Sequence, residues 1–457
     1  MTNKIVTTEF TLERVPPPNL PLAPIQYDSR YQEAFNNILR LYFNRLDHFF
    51  SKLMADGTSV PVTFPGMEVD AFGRLRVSNP FSLFDSQNRY GKDPQFDEST
   101  ATGGTSTYLP NESSVEMAVT TTSGSEVVRQ TYRVFPYQPG KSLLVLATFV
   151  MDAGETNLRQ RAGYFNTENG VFFQKTGTTN QFVLRSNITG TPSDTRTVSQ
   201  ADWNGDKLDG TGESGFTLDT SKAQILFMDF EWLGVGSVRC GFIIDGQYII
   251  CHTFENANEI TSVYMTTAIL PVRYEIKATD TLSASASMKQ ICASVVSEGG
   301  YEQATSEQFA RRTTLLATIS TTFLPLVSIR LNSGSLGAVV LPQSFQVVPT
   351  TNQNYEVALF KNTTLTAASW DTTTFNNVDY DVSATAMTGG TIVQQQYVTS
   401  SAQGRATVLS PTGYNFDLQL GVSLAGVSDV YTVGIRVVSG ATTGDAVGAL
   451  AFIDLTD

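Results

Sequence analysis

Hydrophobic spacing changes period once along this chain. Between residues 27 and 54, Phe35, Leu39, Tyr42, Leu46, Phe49 and Leu53 recur at steps of four, three, four, three and four, which keeps one seam on one face of a helix. Ser29 and Gln32 form a Ser-x-x-Gln capping box, and Asp28 adds negative charge where a helix N-terminus favours it. Beyond the helix the period falls to two. Strands are predicted over 126–135, 142–151, 170–174, 181–185, 223–233, 238–244, 247–254 and 290–296, separated by turns. A second series follows over 314–319, 326–331, 355–360, 378–382, 391–398, 416–422, 431–438 and 447–455. The pattern therefore predicts a mainly β protein. An extended N-terminal arm and one long α-helix (1–60) precede two antiparallel β-sandwich domains of jelly-roll or lectin-like type, over 61–300 and 301–457.

Punctuation refines this outline. Pro16, Pro17, Pro18, Pro21 and Pro24 exclude helix and central strand, so the leader is expected to lie extended as polyproline II, an arm for a neighbour or for its own helix. Asp70-Ala71-Phe72-Gly73 predicts a turn into a short strand at 74–77, and the polar, aromatic stretch 81–104 is expected as a surface excursion. Asp245-Gly246 marks a two-residue hairpin. Counting outward from it sets Ile244 opposite Gln247, Phe242 opposite Ile249 and Cys240 opposite Cys251. That last pair is of the wider, hydrogen-bonded kind, so reduced core thiols are expected for Cys240, Cys251 and Cys292.

At 457 residues the chain can bury large cores without disulfides or metals, and only 16 % of its residues are charged. A net charge of -13 argues against a nucleic-acid or anionic-membrane partner, because both demand clustered Lys and Arg. No apolar run reaches the ~20 residues that span a bilayer, and the first residues lack the pattern of a signal peptide, so synthesis in a cytosol is expected.

Candidate chemistry is sparse. Asp202, Asn204, Asp206 and Glu213 occupy positions 1, 3, 5 and 12 of a loop similar to an EF-hand calcium loop, but Lys207 stands where the sharp turn needs Gly. Gly210-x-Gly212-x-x-Gly215 has the spacing of a dinucleotide turn without its strand and helix, and acidic neighbours would repel a pyrophosphate. Asp229 and Glu231, two apart on a predicted strand, have the spacing of a glycosidase carboxylate pair, which is also that of a solvated strand face. His48 and His252 are the only histidines, and neither has a Ser or Cys motif beside it. No catalytic residue and no cofactor are expected. Trp203 and Trp232 are the candidates for contact with a glycan.

Several long strings, PPNLPLAP, YDSRYQEAFNNILRLYFNRLD, DAFGRLRVSNPFSLFDSQNRY, YRVFPYQPGKSLLVLATF, SDTRTVSQADWNGDKLDGTG and EWLGVGSVRCGFIIDGQYIICHTF, resemble virion structural proteins of tailed phages that infect cyanobacteria. The C-terminal strings TTNQNYEVALFKN, VDYDVSATAM and LGVSLAGVSDVYTVGIR continue the resemblance. It implies a non-enzymatic virion protein assembled in the host cytoplasm: a tail-fibre or baseplate-associated part, with a head fibre or capsid decoration protein as the alternative. A homo-oligomer, a trimer first, would then form through the helix seam and contact other virion proteins. A glycan-binding module that recognises the host surface is the third expectation.

Overall fold

The computed structural model describes residues 79–302, 307–399, 407–409, 416–439 and 443–456, together with helical positions 32–33 and 35–44. The chain divides into two compact units, Met1–Met67 and Glu68–Asp457. In the first, the predicted helix is present at the described positions. Its seam residues Phe35, Leu39 and Tyr42 are half-buried, while Leu41 and Phe43 on either side are 53 % and 61 % exposed. The Gln32 amide donates to Asn36 Oδ1 at 3.3 Å along the helix. Leu46, Phe49, Leu53, the five prolines of the arm and the strand at 74–77 lie outside the described residues.

The described elements of the second unit are strands and two short 3-10 turns, and every strand pairing among them is antiparallel. One sheet runs Gln247–Phe254, Val238–Ile244, Gln224–Phe230, Ser142–Val150, Ala286–Glu298, Ser114–Val119, Thr105–Leu109. Phe81–Gln87 joins the far half of the long strand Ala286–Glu298. A second sheet runs Ser193–Ser199, Thr179–Ser186, Gly170–Thr176, Leu158–Phe165, Val272–Ala278, Glu126–Thr131, Phe96–Ala101. Inward side chains of both sheets make one core. Its centre is aromatic: Phe173 stacks on Phe149 at 5.8 Å and meets Phe242 edge-on at 5.3 Å, and Phe182 lies 4.7 Å from Trp203. Each such pair adds about 0.5–1.5 kcal/mol to the area it buries.

A four-stranded sheet built on Gln308–Ile319, Gly444–Asp454 and Val340–Pro349, and a five-stranded sheet running Val378–Asp381, Leu324–Leu331, Val430–Val437, Asn354–Lys361, Thr391–Thr399, share another core.

Several segments depart from the expectation, three of them as follows. The stretch 81–104 is not a surface excursion: Phe81–Gln87 and Phe96–Ala101 are strands, with Phe84 and Phe96 buried. A register shift between Ser82 and Phe84 places Leu83 and Phe84 both inside, and that broke the alternation. Val340–Pro349 is a strand despite its prolines, because Pro342 sits at another shift. The predicted strand 416–422 is instead a 3-10 turn, Phe416–Leu418, followed by chain that bonds both to the second core, through Leu420 N to Val340 O, and to residues of the first. Gln419 Nε2 donates to Val134 O at 2.8 Å, Val422 N to Tyr132 O at 2.8 Å and Leu424 N to Asp97 Oδ2 at 2.7 Å.

Phe173→Ala, which empties the aromatic centre, is expected to lower the unfolding free energy by about 3–5 kcal/mol. Phe309→Ala, at a 44 % exposed position, should change it by less than about 0.5 kcal/mol. Guanidinium midpoints of the two variants provide the comparison.

Candidate functional site

The two-residue hairpin forms as predicted, with Asp245 and Gly246 both at positive φ (51° and 78°), the backbone of a type I′ turn. Ile244 pairs with Gln247 and Phe242 with Ile249. The register then shifts, so that Cys240 faces His252 rather than Cys251. The reason lies in the loop that follows Ser193–Ser199. Gly205 N donates to Cys251 O at 2.9 Å and Asp206 N to Ile250 O at 3.0 Å, so the loop docks where the strand bulges. A Cβ on Gly205 would stand 2.3 Å from Ile250 O, hence glycine. Asn204 finishes the contact, its Oδ1 accepting from Thr253 N at 2.8 Å and its Nδ2 donating to Thr253 O at 2.9 Å. The bulge leaves both Cys240 and Cys251 buried in the core as free thiols, and burial pushes both up.

The loop with the partial calcium-loop spacing is thus an edge cap. Asp206 accepts from Leu208 N and Ser214 N, both at 2.8 Å; burial opposes its ionisation, but these amides hold the carboxyl below its usual range. Asn204 is spent on Thr253, and Asp202 and Glu213 are exposed. Among the described residues no group of three or more His, Cys, Asp or Glu could hold a metal ion. Trp203 is a core residue at 2 % exposure, so its ring has no face for a sugar. Trp232 is half-buried, its Nε1 donating to Met265 O at 3.3 Å. Asp229 and Glu231 serve separate ends: Asp229 is buried against Arg239, while Glu231 Oε1 accepts from Ser237 N at 3.0 Å to brace a turn. His48 lies outside the described residues.

Two surfaces were not legible as sites. The first is an open hollow of about 550 Å³ between the edge strands Ser193–Ser199 and Gln247–Phe254. Arg196, Asn204, His252, Glu255 and Glu259 line it. Arg196 lies 5.4 Å over the Phe254 ring and donates to Asn256 Oδ1 and, at 3.0 Å, to Glu255 O. Burial, with help from Arg196, lowers His252 to about 4, so its imidazole is neutral at pH 7. His252 Nδ1 accepts from Asn204 N at 3.4 Å, which leaves Nε2 as the protonated nitrogen.

The second is the outer face of the sheet containing Leu158–Phe165 and Val272–Ala278. Phe165 and Phe172 pack 4.3 Å apart there, with Val183, as a small cluster separate from the main core. Guanidiniums roof it: Arg161 and Arg185 lie 5.0 and 5.2 Å over Phe172, and Arg273 lies 5.6 Å over Phe165. Glu275 accepts from Arg159 at 2.6 Å, Arg273 at 3.1 Å and Arg161 at 3.4 Å. Burial alone would raise the Glu275 carboxyl, but the three arginines overcome it and hold it at about 2. Asp194 takes Arg185 in a two-pronged contact at 2.7 and 2.8 Å. The alternation in LRQRAGYF and VRYEIKA was the available signal, masked because charges occupy the positions where a buried strand shows aliphatics.

No protein-family model matches the chain, and no curated protein does. Among solved structures it is similar to the Emp47p carbohydrate recognition domain (11 % identity, 48 % of this chain and 96 % of that one, TM-score 0.32). It is also similar to a β-glucanase of Bacillus licheniformis (11 %, 47 % and 97 %, 0.31) and to arcelin-5, a lectin-like defence protein from Phaseolus vulgaris (11 %, 48 % and 99 %, 0.31).

Glu275→Gln leaves three arginines short of their shared charge and is expected to cost about 3–5 kcal/mol at pH 7. Because the folded carboxyl lies at about 2 against an ordinary 4.5, the wild type's advantage is complete above pH 4.5 and fades as the pH falls toward 2. Urea midpoints of both proteins across that range measure it.

Proposed function

We propose that this chain is a non-enzymatic recognition protein, whose β-body holds a saccharide in the hollow between the two sheet edges. One observation carries the reading: the hollow gathers hydrogen-bonding groups of both signs on supports that are already fixed. Asn204 is tied to Thr253, Arg196 to Asn256 and Glu255 O, and His252 to the backbone of Asn204, while Glu255 and Glu259 stand exposed at the rim. Preorganised donors and acceptors are what a polyhydroxylated ligand rewards, since little ordering is left to be done on binding. Recognition here is by hydrogen bonding rather than stacking, because the Phe254 ring is covered by Arg196.

The double variant Glu255→Ala/Glu259→Ala should fold as the wild type does and lose about tenfold in affinity for the bound glycan. A glycan array followed by isothermal titration tests this; an array without a hit, or unchanged affinity, rejects the site.

A second reading, that the chain is a structural subunit of a phage virion oligomerised through its helix, rests on the apolar side chains there. The seam of Phe35, Leu39 and Tyr42 is flanked on both sides by exposed Leu41 and Phe43. A helix apolar on so much of its circumference calls for cover on more than one side. The full chain is expected to sediment as a trimer, and Leu41→Glu/Phe43→Glu as a smaller species. Identical sedimentation of the two would dismiss the helix as the assembling element.

A further inference from the structure

We propose that the arginine-roofed outer face of the second sheet binds the sulfate or carboxylate groups of an acidic polysaccharide. This surface is separate from the hollow and stands or falls independently of it.

The argument is one of charge balance. Four guanidiniums, of Arg159, Arg161, Arg185 and Arg273, share two carboxylates, Glu275 and Asp194, which leaves a count of two positive charges in excess. The whole chain carries -13. Among the other described ion pairs only Glu98 is likewise shared, between Lys92 and Arg129; the rest are one to one, as in Lys277 with Glu126, Arg330 with Asp379 and Arg436 with Glu356. Concentrating unmatched charge in a desolvated place opposes folding, so a face built only for stability would match it. The guanidiniums are also held still, three of them layered on the Phe165 and Phe172 rings. The Nε donors of Arg159 and Arg273 have no hydrogen-bond partner among the described residues. Access is from solvent at Arg159 and Asp194, whose side chains are 24 % and 33 % exposed.

Fixed, planar, under-neutralised guanidiniums are the chemistry that selects oxyanions. Their recessed setting favours single anionic groups spaced along a sugar chain. A nucleic-acid backbone needs protruding cations, and the protein's overall charge would repel it.

Isothermal titration of the full chain at low ionic strength should show binding of dextran sulfate, none of uncharged dextran, and weakening as sodium chloride is added. Arg159→Gln is expected to lower the affinity about tenfold, with Arg159→Lys recovering part of it. Lys277→Gln, at a matched pair, should bind as the wild type does. Melting curves establish that each variant is folded; should Arg159→Gln unfold, the contrast between Arg159→Lys and Lys277→Gln decides. The proposal is overturned if dextran sulfate does not bind, if uncharged dextran binds equally, if the Arg159 variants bind as tightly as the wild type, or if single-stranded DNA binds as tightly as dextran sulfate. Competition by inorganic sulfate at concentrations matched in sulfate groups would place the affinity in one oxyanion rather than the chain, and would overturn the polysaccharide assignment.

Discussion

Unpaired backbone at the edges of its large sheets is the constraint that the rest of this structure answers. An open antiparallel edge invites pairing with any passing strand. At Gln247–Phe254 the answer is internal: the loop at Asn204–Asp206 lays its own amides and one asparagine side chain along the strand. The bulge at Cys251, the requirement for Gly205 and the hollow beside His252 all follow from that one docking. Beyond the strand Glu126–Thr131 the answer comes from far along the chain, where Gln419, Val422 and Leu424 bond to Val134, Tyr132 and Asp97.

Charge is handled by a different rule on each face. Inside, aromatic rings fill the space between sheets, and outside, on the second sheet, arginines replace the aliphatic cover that another layer would provide. Long guanidinium side chains shield Phe165 and Phe172 while keeping their charge near water. Glu275 makes this arrangement stable by drawing three of them into one place.

Much of this was legible in the amino-acid sequence. The hairpin 238–254 and the strands at 142–151 and 170–174 were found within a few residues, because their aliphatic and aromatic runs admit little else. Strands whose outward positions are charged but covered, Leu158–Phe165 and Val272–Ala278, were invisible to a rule that equates charge with exposure. The hollow was out of reach for another reason: a one-residue bulge caused by a loop some 45 residues upstream cannot be counted from a turn. Trp203 illustrates the converse, since a tryptophan in a polar loop looks exposed until the loop folds back and buries it against Phe182.

The long-range edge contacts also bear on how the molecule comes into being. Arg133 and Phe416, Val134 and Gln419, and Asp97 and Leu424 are separated by 283, 285 and 327 residues. Contacts so distant in the chain require a large closure entropy to be spent before they return anything. Until this late segment has left the ribosome, the carbonyls of Tyr132 and Val134 lack the donors that the finished fold gives them. A nascent chain stalled before that point would present these carbonyls unpaired to its neighbours, a cost that belongs to the timing of synthesis and not to the stability of the finished fold.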